Sequence, residues 1–230
     1  MNADSGNTST RSWWYRQDRS FSLAEMIADG IVHGVGIVAA IAAGAVLLAF
    51  ALFKTAPAEF PALVIYVGSL VTVLSVSLAF NMWPVTRVKS FLARLDQAAI
   101  FLFIGGTYTP FLAVIWHTPL ASFMTVLVWG ASLLGIALKL IVPERFGRVA
   151  ILLYLGIGWS GVLVFHALAT ALPPTALWLV VGGGVVYSLG IIFHLWERLR
   201  FQNALWHVFV VAGAMLHLGA ILDCMVISRL

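Results

Sequence analysis

Charge is what this sequence has least of. Only 10% of its 230 residues are Asp, Glu, Lys or Arg, against roughly a quarter in ordinary soluble domains. That scarcity excludes a disordered chain, a basic nucleic-acid module and a water-soluble enzyme. Cysteine is scarcer still: Cys224 stands alone, so neither an intrachain disulfide nor a thiolate metal cluster is available. Within an apolar run, Cys224 reads as a buried, inert thiol. The first 20 residues, MNADSGNTSTRSWWYRQDRS, hold no continuous apolar core, so no cleavable signal peptide is expected. A glycine-rich phosphate loop is excluded as well. Gly105, Gly106, Gly156, Gly158, Gly182, Gly183 and Gly184 lie inside apolar runs with no strand before them, where close helix packing is their expected role.

Apolar residues are abundant, at 62% of the chain. At about 20 residues per bilayer crossing, that is enough for roughly seven spans with short connections. Seven apolar segments can be read, over residues 31–53, 61–83, 95–116, 119–142, 149–172, 175–196 and 203–227. Lys54, Pro84, the PERFGR stretch at 143–148, Pro173 with Pro174, and WERLR punctuate them. The expected fold is therefore all-α: a polytopic membrane protein forming a seven-transmembrane helix bundle.

Cation placement orients that bundle. Arg11, Arg16, Arg19, Arg87, Lys89, Arg94, Lys139, Arg145, Arg148, Arg198 and Arg200 fall on one side, and Lys54 and Arg229 on the other. The expectation is a cytoplasmic N-terminus and an external C-terminus. Residues 1–20 read as a polar, flexible cytoplasmic tail, with Trp13, Trp14 and Tyr15 beside arginines at the membrane interface. Residues 21–230 read as a single transmembrane domain.

Polar groups inside apolar segments are costly, so their positions are informative. Glu25, Asp29 and His33 are spaced by four at the start of the first helix, hence on one face. Ser77 and Asn81 close the second helix, Asp96 opens the third, and Asn203 and His207 open the seventh. With the orientation above, four helices bring polar groups to one level in the inner leaflet. Simpler roles stay open for each. Asp96 at a helix start complements the dipole as a cap or interfacial anchor, Asn81 and Asn203 join helices by hydrogen bonds, and Glu25 and Asp29 form a solvated or interfacial face. His207 and His194 suit an interface, and His117 an exposed loop. His166 and His217, in the outer half, suit hydrogen-bonded core positions.

Three stretches carry a resemblance: Glu25, Asp29, His33 and Gly36 in an ExxxDxxxHxxG pattern, RLDQAAIFLFIGGTYTPF at 94–111, and LWHVFVVAGAMLH at 205–217. Together they resemble the bacterial hemolysin III family, of the progestin and adipoQ (adiponectin) receptor superfamily, over about residues 22–227. The resemblance implies seven spans, a cytoplasmic N-terminus and residence in a bacterial inner membrane. It also implies kinship with metal-dependent membrane hydrolases. Receptors of that group hold zinc by three histidines, one from SxxxH on the second helix and two from HxxxH on the seventh, with an aspartate nearby through water.

Ser77, Asp96 and His207 match that pattern, whereas Asn81 and Asn203 stand where histidines are expected and Gln97 replaces another. The implied site has Asp96 and Ser77 as catalytic residues and His207, Asn81 and Asn203 as metal ligands. His33, Asp29, Glu25, Gln97 and His217 are further candidates, with His33 able to lean in as a substitute ligand. Imidazole suits zinc, while a neutral amide oxygen is a weak, harder ligand. The function implied is a metal-dependent hydrolase of a lipid amide or ester, with membrane lipids as partners, zinc as cofactor and no nucleic acid. The alternative is a non-enzymatic membrane-lipid sensor or homeostasis protein with a degenerate metal site.

Overall fold

Helix α1 (Leu23–Lys54) begins with a reciprocal cap: the Glu25 N–H donates to Ser22 Oγ at 3.3 Å and the Ser22 N–H to Glu25 Oε2 at 3.0 Å. In a computed structural model the described residues are 21–142 and 147–230. The tail 1–20, with Trp13, Trp14, Tyr15, Arg11, Arg16 and Arg19, lies outside the described residues, as do Arg145 and the Arg148 side chain.

After α1 come α2 (Phe60–Met82), α3 (Arg87–Val114) and α4 (Pro119–Ile141). Proline stands in the first turns of α2 and α4, where its missing N–H costs nothing. Then follow α5 (Gly147–Trp159), a 3₁₀ turn (Ser160–Val164), α6 (Phe165–Ala171), α7 (Pro174–Leu195), α8 (Gln202–Met225) and a last 3₁₀ turn (Ile227–Arg229). Among the described residues there is no strand. Among the described residues seven helical stretches are long and apolar enough to cross a membrane, α5 to α6 counting as one (Val149–Ala171).

Three differences from the segment reading have physical causes. α1 starts at Leu23 rather than 31, and α3 at Arg87 rather than 95. Hydropathy reports the part of a helix that matches hydrocarbon, whereas capping and backbone bonds extend it through polar turns. Asp96 therefore does not open α3; Thr86 is its N-cap, and Asp96 lies in the helix interior. The fifth span is not one continuous helix. Tyr108 reaches across from α3, its hydroxyl donating to the Gly158 carbonyl at 2.6 Å and accepting from the Gly161 N–H at 2.7 Å, where the helix breaks.

Packing is closest between α7 and α8, α2 and α3, and α3 and α4, with α1 against α2 and α8. Leu63, Tyr66, Leu70, Leu74, Phe101, Met124 and Ile221 fill the core. The outer surface is apolar, with Val38, Leu134, Leu152 and Trp178 exposed. In water such a surface aggregates, and in a bilayer it faces lipid. Gly36 is a close-packing glycine, since a Cβ there meets Val211 at 2.7 Å. Gly156 and Gly158 are not, having nothing within 4 Å of a Cβ. Cys224 is buried, as read from its position.

Candidate functional site

The reciprocal cap places α1 deep enough that Glu25, Asp29 and His33 face inward. Glu25 is 7% exposed, Asp29 2% and His33 fully buried, so the solvated-face reading of Glu25 and Asp29 does not hold. Glu25 Oε1 accepts the Phe201 N–H at 2.9 Å. Phe201 has φ of 57°, left-handed backbone that a bulky side chain adopts at a cost of about 1–3 kcal/mol. Glu25 thereby braces the turn that launches α8 and aims Asn203 and His207 at α1. Spacing alone gives no sign of that link.

At the end of the bundle where α1 and α8 begin and α2 ends, the polar side chains form one network. The His207 Nδ1–H donates to Asp29 Oδ1 at 2.6 Å. Asn203 Nδ2 donates to Asp29 Oδ2 at 3.0 Å and to Asn81 Oδ1 at 2.8 Å. Asn81 Nδ2 donates back to the Ser77 carbonyl at 2.9 Å. Ser77 Oγ lies 3.3 Å from His207 Nε2. Within α1, the His33 Nδ1–H donates to the Asp29 carbonyl at 2.9 Å. The two imidazoles lie side by side, ring centroids 4.2 Å apart.

Both rings are held at Nδ1 by oxygens that accept. A neutral imidazole so held carries its proton on Nδ1 and presents a lone pair at Nε2. For His207 that lone pair faces the Ser77 hydroxyl. His33 Nε2 is buried and has no hydrogen-bond partner, a costly condition in a site otherwise satisfied. Asp29, His33 and His207 are all buried, with ligand atoms within 4.8 Å of one another. The set fits a divalent metal: two imidazoles, His33 with Nε2 unpartnered and His207 with Nε2 on the Ser77 hydroxyl, and a carboxylate beside them are donors that transition metals take.

The other candidates sort by position. Asp96 faces this group, interacting with Ser77 and lying within electrostatic reach of His207 and Asp29. Asn81 and Asn203 are in the network as hydrogen-bond partners, Asn203 directly on Asp29. The backbone carbonyl of Gln97 accepts from the Tyr154 hydroxyl at 2.9 Å. His217 stands ten residues beyond His207 on α8, about 15 Å along the axis. There its Nδ1–H donates to the Gly213 carbonyl at 3.0 Å and its ring stacks on Tyr187. Beside Asp29, Asn81 and Asn203 lies a cavity of about 20 Å³, rimmed by Phe21, Met26 and Met82, room for a water molecule.

Comparison with known proteins agrees with this architecture. A family model described as "Haemolysin-III related" matches residues 21–218. Hemolysin-3 of Bacillus cereus is 33% identical over 190 residues, 83% of this chain and 87% of that protein. A hemolysin-3 homolog of Bacillus subtilis is 31% identical over 194 residues, 84% of this chain and 91% of that protein. The human monocyte to macrophage differentiation factor is 31% identical over 127 residues, 55% of this chain and 52% of that protein. No solved structure matches. With seven apolar crossings and matches of this extent, the chain is a multi-pass membrane protein that belongs to the haemolysin-III related family.

Proposed function

We propose that this protein is a bacterial inner-membrane hydrolase that cleaves an amide or ester bond of a membrane lipid, using a divalent metal, zinc, at the Asp29–His33–His207 group. The cation distribution supports an orientation that puts this group at the cytoplasmic end. One observation carries the reading: in a network where Asp29, Asn81, Asn203, Ser77 and His207 satisfy one another, His33 Nε2 is buried and unpartnered beside a second imidazole.

When bound, such a metal polarises a carbonyl and makes a coordinated water acidic near neutral pH. The chain's residues do the rest. His33 and His207 are oriented in advance by their Nδ1 bonds, so no ring reorganises during reaction. Asp96, opposite Ser77, stands as general base to accept a proton from the attacking water and return it to the leaving amine or alcohol. The Ser77 hydroxyl donates toward the reacting oxygen. Met26, Met82 and Phe21 line the apolar side of the pocket.

The test is free fatty acid release, followed by mass spectrometry, from liposomes of mixed amide-linked and ester-linked lipids containing the purified protein. Release that stops with chelator, returns with zinc and is lost in Asp96→Asn is expected. No release from any lipid class overturns the hydrolase reading. A second reading, a non-enzymatic lipid sensor with a degenerate metal site, is favoured by Asn81 and Asn203, whose amides sit in the network as hydrogen-bond partners. It expects no release from any lipid, with or without added zinc.

A further inference from the structure

The Asp29–His33–His207 group contains a division of labour that a set of three equal ligands does not describe, and the inference rests on the metal reading above. Asp29 engages both histidines, by two different parts of itself. Its side-chain Oδ1 accepts the His207 Nδ1–H at 2.6 Å, and its backbone carbonyl accepts the His33 Nδ1–H at 2.9 Å. Its other carboxylate oxygen is taken by Asn203 at 3.0 Å, and Asn203 is itself held by Asn81 at 2.8 Å. The carboxylate is thus engaged on both oxygens, while His33 Nε2, with the residue fully buried, has no partner.

We propose that Asp29 is a positioning residue that sets the tautomer of both histidines at once, so that His33 Nε2 and His207 Nε2 are the protein's ligands to a divalent transition metal and the Asp29 carboxylate is not. Carboxylate-to-histidine bonds of this kind fix ring orientation and raise ligand basicity, and losing one costs about 10–100-fold in metal affinity. Losing a ligand costs more. Asn81 and Asn203 then have a role as well: they hold the Asp29 carboxylate in place, with Asn203 as the direct contact. The two arms of Asp29 are also separable, because a side-chain substitution removes the contact to His207 and leaves the backbone contact to His33.

Two measurements on the full-length protein in nanodiscs test this. The first is the ¹⁵N NMR spectrum of histidine-labelled, metal-free protein, with resonances assigned by His33→Gln and His207→Gln. His33 and His207 are both expected to carry the proton on Nδ1. In Asp29→Ala, His33 is expected to keep that signature while His207 loses it, a split that a purely structural role for Asp29 does not produce. The second is titration with Co²⁺ alone, read by visible absorption. Near-stoichiometric uptake is expected in the parent, uptake weakened about 10–100-fold in Asp29→Ala, and none in His33→Gln. An Nε2–H tautomer at either histidine in the parent overturns the proposal without requiring any variant to fold. So does Asp29→Ala behaving like His33→Gln, or like the parent. Parent-like uptake by His33→Gln overturns the ligand assignment alone, whereas no uptake by the parent overturns the metal reading itself.

Discussion

Replacing Asp29 by alanine tests the network as a piece of folding chemistry, apart from any bound ion. The substitution leaves the His207 Nδ1–H without its acceptor at 2.6 Å and Asn203 Nδ2 without one of its two acceptors. Each orphaned buried donor costs about 1–3 kcal/mol, which sums to about 2–6. Two effects reduce that sum. Side-chain hydrogen bonds within membrane bundles are worth less, about 0.6 kcal/mol on average and about 1.7 at most. Removing a carboxylate that is 2% exposed also relieves the cost of burying it. The expected loss is about 2 kcal/mol. Asn81→Ala removes the second acceptor of Asn203 and the bond from Asn81 Nδ2 to the Ser77 carbonyl, two neutral hydrogen bonds expected to cost about 1.2 kcal/mol together. The assay is reversible unfolding in mixed detergent micelles with chelator present, followed by circular dichroism. A loss below about 0.5 kcal/mol for Asp29→Ala, the range of a neutral surface change, or a larger loss for Asn81→Ala, refutes the reasoning.

Other sites give independent checks. Gly36→Ala puts a Cβ at 2.7 Å from Val211, so overpacking between α1 and α8 is expected to cost about 1–3 kcal/mol; Gly156→Ala meets nothing within 4 Å and is expected to be neutral or mildly stabilising, both read in the same unfolding assay. Glu59, outside the spans, forms a two-pronged pair with Arg229 at 2.6 and 3.0 Å, and the hydrogen bond from Arg229 holds its carboxyl below the ordinary 4.5. Its stabilisation is present above that value and fades as pH falls through the lowered folded value. The drop in thermal stability on acidification is therefore expected to be smaller in Arg229→Gln than in the parent, and an equal drop counts against the pair. Finally, the chain Ser77–His207–Asp29 has the order of a nucleophile, base and carboxylate. With metal bound, His207 Nε2 is occupied, so a fluorophosphonate probe is expected to leave Ser77 unlabelled; metal-insensitive labelling of Ser77 argues for serine chemistry instead.

Much of this architecture is legible from residues alone. The apolar segments give the seven crossings because hydrocarbon thickness sets their length, and Pro84, Pro173 and Pro174 mark ends by local chemistry. The i,i+4 spacings also put Glu25, Asp29 and His33 on one face, and Asn203 and His207 on another. What failed was depth. A hydropathy reading starts the first helix at 31 and leaves Asp29 near solvent, although Ser22–Leu23–Ala24–Glu25 is a capping-box sequence that starts the helix at Leu23. The fifth-span break was not legible either, because it depends on Tyr108, about 50 residues away on α3. The contact of Glu25 with Phe201 likewise joins chain segments that only the packed bundle brings together.

A metal ion on the buried pair His33 and His207 is checked by the metal content of protein purified without chelator, measured by mass spectrometry against protein concentration. About one divalent transition metal per chain is expected in the parent, with a near-complete loss in His33→Gln. A content far below one in the parent, unchanged in His33→Gln, would contradict the metal reading.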